Sequence, residues 1–172
     1  MKTSVLLIFL SLSFISIPKA LKAQNKVSAF ISGQKNELSF KVEKTSFFVC
    51  LSKGGEITGY SILANGTISY DLQGRIDKVG NVVVSYDLHG RIDKIDNERI
   101  SYDIQDRLSE IGDTKISYDI HGRVESVGEQ KVSYDIRGRV EKISLAKVSY
   151  NYLGKIDKID RNEQSMYLNL NN

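Results

Sequence analysis

The sequence predicts an all-β protein, an antiparallel β-hairpin repeat array forming a twisted meander or solenoid-like sheet of about twelve repeat strands with capping strands at both ends. Three observations predict it. Tyr70, Tyr86, Tyr102, Tyr118, Tyr134 and Tyr150 recur every sixteen residues without an insertion. Around each tyrosine runs Ile/Val-Ser-Tyr-Asp-x-x-Gly-Arg, with Asp106 for the glycine in one copy and Asn151 and Lys155 in the last. Outside the copies, short stretches alternate apolar and polar residues, the period of a half-buried strand, and no helical periodicity follows residue 23.

Residues 1–23 read as a secretory signal peptide. Lys2 gives a positive start, 5–17 is apolar or small, and Ala20 and Ala23 offer cleavage positions. The run is too short to span a bilayer comfortably, so the expectation is a secreted or periplasmic chain with no membrane span after cleavage. Loss of Lys2, Lys19 and Lys22 with the leader leaves 21 basic against 21 acidic residues. A formally neutral chain offers no surplus of cations for nucleic acid. About 149 residues then remain, enough for one core. Cys50 is the single cysteine and stands in the apolar run 47–51, which predicts a buried, inert thiol and no internal disulfide.

Residues 24–66 form an N-terminal β cap, with strands expected at 26–32, 37–42, 47–51 and 56–63. Gly54-Gly55 turns the chain, and Asn65-Gly66 is a hairpin signal that leads into the first repeat. Residues 67–159 hold the six repeats, and 160–172 supply a C-terminal capping strand at 164–170, where Met166 takes the tyrosine slot.

Within a copy, sixteen residues divide as strand, three-residue loop, strand, three-residue loop. In the first copy the loops fall at 72–74 and 80–82. The last loop residue wants positive φ, the conformation glycine adopts without penalty. Gly74, Gly90, Gly122, Gly138 and Gly154 occupy that slot, and Asp106 is a residue that tolerates it. In this register Asp71 faces Arg75, Tyr70 faces Ile76 and Ser69 faces Asp77; across the second loop Val79 faces Val83 and Arg75 faces Asp87. Each arginine then lies between two aspartates on one face, while tyrosines and aliphatics share the other. The row of Ile68, Val84, Ile100, Ile116, Val132 and Val148 would alternate with lysine-type positions such as Lys78 and Lys94, leaving that face partly dry. Sheet twist is expected to coil the meander with this face inward.

The Tyr70-Asp71-Leu72-Gln73-Gly74-Arg75 core and its copies resemble the YD repeat of rearrangement-hot-spot proteins over residues 67–159, in a short sixteen-residue form. The resemblance implies a β-hairpin array in an exported or surface protein, which in some members forms a shell around a toxin and in others is linked to carbohydrate binding.

A search for chemistry is negative. His89 and His121 share a loop slot two repeats apart, roughly 19 Å at ~4.8 Å per strand, too far to ligate one metal. The repeated aspartates are flanked by arginines, and no nucleophile elbow, phosphate loop, zinc motif or calcium loop is present. Neither a catalytic residue, a metal nor a cofactor is expected. The leading reading is an exported, non-enzymatic structural or binding module for a protein or glycan. Its candidate contacts are the loop slot Gln73, His89, Gln105, His121 and Arg137, or the row Tyr70, Tyr86, Tyr102, Tyr118 and Tyr134 if these rings are exposed rather than core. The alternative is an enzyme, or an enzyme's accessory or inhibitor, with a site in the N-terminal sheet around Tyr60 and Cys50.

Overall fold

A computed structural model describes residues 26–32 and 37–160 of this chain. The expected leader and the expected strand at 164–170 lie outside the described residues. Four strands come first: β1 (Lys26–Ile31), β2 (Leu38–Glu43), β3 (Phe47–Ser52) and β4 (Ile57–Ile62). The first three repeats supply β5 (Ile68–Tyr70), β6 (Ile76–Val79), β7 (Val82–Tyr86), β8 (Ile92–Ile95), β9 (Glu98–Tyr102) and β10 (Leu108–Ile111). The last three supply β11 (Thr114–Tyr118), β12 (Val124–Val127), β13 (Gln130–Tyr134), β14 (Val140–Ile143), β15 (Ala146–Tyr150) and β16 (Ile156–Asp160). No helix occurs among the described residues. The strands form a four-stranded antiparallel meander, β1 to β4, and a twelve-stranded antiparallel meander, β5 to β16, neither closed into a barrel.

Alternation builds the short sheet. In β2 and β3 every second side chain is buried, with Leu38, Phe40 and Val42 facing inward beside Phe47, Val49 and Leu51. The long sheet contributes one buried aliphatic row after another, and both sheets share a single core. Laid flat, twelve strands would span roughly 53 Å at ~4.8 Å per strand, far wider than four strands can cover. Yet Val84 near one end and Val148 near the other are both buried. The long sheet therefore curls, and the short one fills its concave side. Each fully buried aliphatic contributes about 1.5–3 kcal/mol, so this shared interior is the main stabiliser.

The hairpin within each repeat forms as expected. Asp71 N–H donates to the Arg75 carbonyl at 2.8 Å and Gly74 N–H to the Asp71 carbonyl at 3.0 Å, with Gly74 at φ 77°. Asp106 takes the same left-handed corner at φ 61°.

The connection between repeats differs from the expected three-residue loop. It is a two-residue turn, Gly80-Asn81 in the first copy, because Val79 pairs with Val82 and Lys78 with Val83. Positive φ recurs at its first residue, Gly80, Asp96, Gly112, Gly128 and Ser144, as a type II′ turn requires. The residue gained by the strand is absorbed by a β-bulge. Ser69 pairs with Lys78 and Tyr70 with Ile76, so Asp77 is the extra residue, and Asp93 is its counterpart in the next copy. Asp77 still accepts a hydrogen bond from Ser69 at 2.5 Å, from the bulge rather than from a facing position.

Two corrections follow. Val84 faces Ile95 instead of a lysine, so the inner face is dry, while Lys94 turns outward opposite Ser85 and Arg99. Continuing the pairing of Lys78 with Val83 brings Arg75 in line with Tyr86 rather than Asp87. Charge and ring are thus neighbours and not segregated on opposite faces.

Candidate functional site

The corner of each repeat is a closed polar unit. Asp71 Oδ1 accepts the backbone N–H groups of Gln73 and Arg75, both at 2.9 Å, and Oδ2 accepts Arg75 Nε at 2.7 Å and Nη2 at 2.7 Å. The arrangement repeats at Asp87, Asp103, Asp119 and Asp135 with the arginine four residues on. Partial burial pulls these carboxyls upward. The backbone and side-chain hydrogen bonds outweigh it and hold all five below the ordinary carboxylate value.

The same arginine ties its repeat to the next. Arg75 lies 4.1 Å from the centre of the Tyr86 ring, and Arg91, Arg107, Arg123 and Arg139 stack equally on Tyr102, Tyr118, Tyr134 and Tyr150. Each of these phenols donates backward to a main-chain carbonyl: Tyr86 to Ile76 at 2.8 Å, Tyr102 to Ile92 at 2.9 Å, Tyr134 to Val124 at 2.7 Å. Burial raises Tyr102 and Tyr118 to about 12. Tyr86, Tyr102, Tyr118 and Tyr134 are therefore half-buried joints of the array, covered by arginine and hydrogen-bonded. Tyr70, with no repeat before it, is 59 % exposed.

Gln73, His89, Gln105, His121 and Arg137 all stand exposed at the hairpin tips. Gln73 and Gln105 accept from Arg75 and Arg107 in their own loops. Immediately before them lies a row that sequence reasoning passed over. Leu72, Leu88, Ile104, Ile120, Ile136 and Tyr152 are 95–104 % exposed. Nothing in the fold uses these side chains. Within one three-residue loop, a slot varying among Gln, His, Arg and Leu adjoins a slot apolar in every copy. That contrast was the signal in the sequence. With two strands per copy, the tips stand ~10 Å apart along the edge of the array.

A second feature lies between the sheets. The β3–β4 turn is pinned to the array: Leu108 N–H donates to the Gly55 carbonyl at 3.2 Å and Val124 N–H to the Lys53 carbonyl at 2.8 Å. Lys53 Nζ donates to the Gly138 carbonyl at 2.6 Å and lies 4.9 Å from the centre of the Tyr134 ring. Burial, with the Arg123 charge beside it, lowers the Lys53 pKa. Past this anchor, β4 borders a trough of about 620 Å³. Ile57, Thr58, Gly59 and Tyr60 line one wall, and Arg75, Tyr86, Arg91 and Tyr102 stand among the residues opposite. Tyr60 and Tyr86 hydroxyls meet there at 3.5 Å.

Cys50 has no part in the trough. It alternates with the buried Val49 and Leu51, is only half-buried and pairs with Lys41 on the outer side of the short sheet, not in the core as the apolar run suggested. Tyr60 pairs with the inward Val49, so the two residues of the expected N-terminal site point to opposite faces. Burial raises the Cys50 thiol pKa against the pull of Lys41. Among the described residues no three His, Cys, Asp or Glu side chains are placed to share a metal, and no helix is long and apolar enough to cross a membrane.

A scan against protein-family models finds no match, and a search of curated proteins finds no significant one.

Proposed function

We propose that this chain is an exported, non-enzymatic module that holds a protein partner outside the cytoplasm along its hairpin tips. The observation that carries the reading is the apolar tip row, 95–104 % exposed in every repeat. Burying such side chains on association removes apolar surface from water, and one exposed apolar residue at the same slot of every repeat offers a partner a regularly spaced row of contacts. Aliphatic tips favour a protein over a glycan: leucine and isoleucine have neither the aromatic face nor the polar groups that a sugar ring uses. The corner beneath them supports the same reading. In each of the first five repeats the Asp–Arg pair is internally satisfied, so it holds the corner in place and adds no net charge there. The signal-like leader supports export, and the likeness to YD repeats agrees with a surface role.

The test is a triple variant, Leu88→Ser, Ile104→Ser and Ile120→Ser, compared with the parent chain in pulldown from a culture surface extract. The melting temperature should stay within the small range typical of exposed substitutions, about 0.5 kcal/mol each or less, while retention of the partner is lost. Undiminished retention, or a partner that proves to be a glycan, would contradict the reading.

A further inference from the structure

We propose that the trough beside β4 seats an extended peptide segment, which adds to the free edge of β4 as a fifth strand of the short sheet. The proposal deepens the binding reading above, since the segment would belong to the protein held at the tips. The register of β4 supplies the docking groups. Leu63 N–H donates to the Ser46 carbonyl at 2.7 Å, next to the pairs Phe47 with Ile62, Phe48 with Ser61 and Val49 with Tyr60. Antiparallel partners alternate between bonded and non-bonded pairs. Leu63 and Ser61 thus turn their main-chain groups toward β3, and Tyr60 and Ile62 turn theirs toward the open edge.

A comparison of the open edges singles this one out. The sheets end at β1, β4, β5 and β16 among the described strands. β5 is three residues long, β16 carries Asp157, Lys158 and Asp160, and β1 carries Lys26, all features that discourage pairing. β4 has neither charge nor proline and alone of these borders the trough; its bulge at Thr58 lies near its start, which leaves 59–62 as a regular edge. Gly59 sits in mid-strand without positive φ, and an added Cβ would meet nothing within 4 Å. Gly59 follows the β-bulge at Thr58, and the lack of a side chain there leaves the main chain open to a second backbone.

The walls define the segment. Ile57, Ile76 and Tyr102 offer apolar surface, the arginines opposite are already matched by Asp71, Asp87 and Asp106, and Glu56 lines the trough just ahead of β4. An uncharged strand with an apolar residue at every second position fits, its main chain supplying affinity and its alternate side chains the selectivity.

The test uses the purified chain and one probe, an acetylated and amidated hexapeptide of alternating threonine and valine. Binding should slow hydrogen exchange at the Tyr60 and Ile62 amides. Methylating the peptide nitrogens that face β4 should weaken binding about tenfold, the loss of one to two hydrogen bonds. Methylating the intervening nitrogens should change it less than about twofold. Because the modification is on the peptide, the fold of the chain is untouched. Equal effects of both methylation patterns, protection at β5 or β16 in place of β4, or a trough that responds only to maltohexaose would each overturn the proposal. The serine tip variant separates the two readings. If it loses the protein partner while the hexapeptide fails to reach β4, this inference alone falls.

Discussion

The short sheet and the long sheet share one interior but are specified by different means. All six phenylalanines of the chain precede the repeats. The short sheet closes on single-use shapes such as Phe40, Phe47 and Leu51, each fully buried. The array instead uses middling aliphatics and a polar device, a phenol that donates to the preceding repeat under a guanidinium that comes from it. A surface used once can rely on complementary volume alone. A surface used five times also needs an address, or strands would pair equally well one step out of place.

Three experiments probe that contrast. The largest effect should come from Phe47→Ala in the short sheet, which removes a fully buried ring and should cost about 3–5 kcal/mol in urea unfolding. A loss below about 1 kcal/mol would mean that the array does not lean on the short sheet's volume. Asp103→Ala in the array should cost less, about 1–2 kcal/mol, because its partners become partly hydrated once freed. The five corner aspartates have folded-state pKa values below the ordinary 3.8. Their stabilisation is present above that value and disappears as pH falls through the lowered one, so parent and variant melting curves should converge in strong acid. Curves that stay parallel would show that the corner is not an electrostatic device. The smallest effect should belong to Asp106→Gly. Relief of a left-handed aspartate opposes loss of its 2.6 Å pair with Arg91, and the net change in melting should stay within about 0.5 kcal/mol.

The left-handed glycine corner, the meander and the four N-terminal strands were legible in the sequence because each has a local cause: a residue type at a fixed φ, or a period of two. The bulge was not read, although Ile92-Asp93-Lys94-Ile95 carries its mark. Two buried residues three apart in a strand cannot share a face without an extra residue between them. Missing it displaced the inter-repeat pairing by one and set arginine against aspartate instead of against tyrosine. The tip row Leu72 to Tyr152 was overlooked for another reason. The loop at 72–74 was read from its glycine and its variable Gln73 slot, and the apolar residue beside them, which a loop leaves in solvent, was given no role. The trough needed both sheets in place, since no local pattern says that β4 will stop short of the array.

The tyrosine-to-carbonyl bond that joins neighbouring copies is the same at each seam, donated across ten residues of chain every time. A duplicated or deleted stretch of sixteen codons therefore leaves all remaining joints chemically intact, and shifts the reach of the molecule by ~10 Å per event. Length in such a chain can drift by gene slippage toward whatever span its counterpart demands, with the short sheet as the element that must follow.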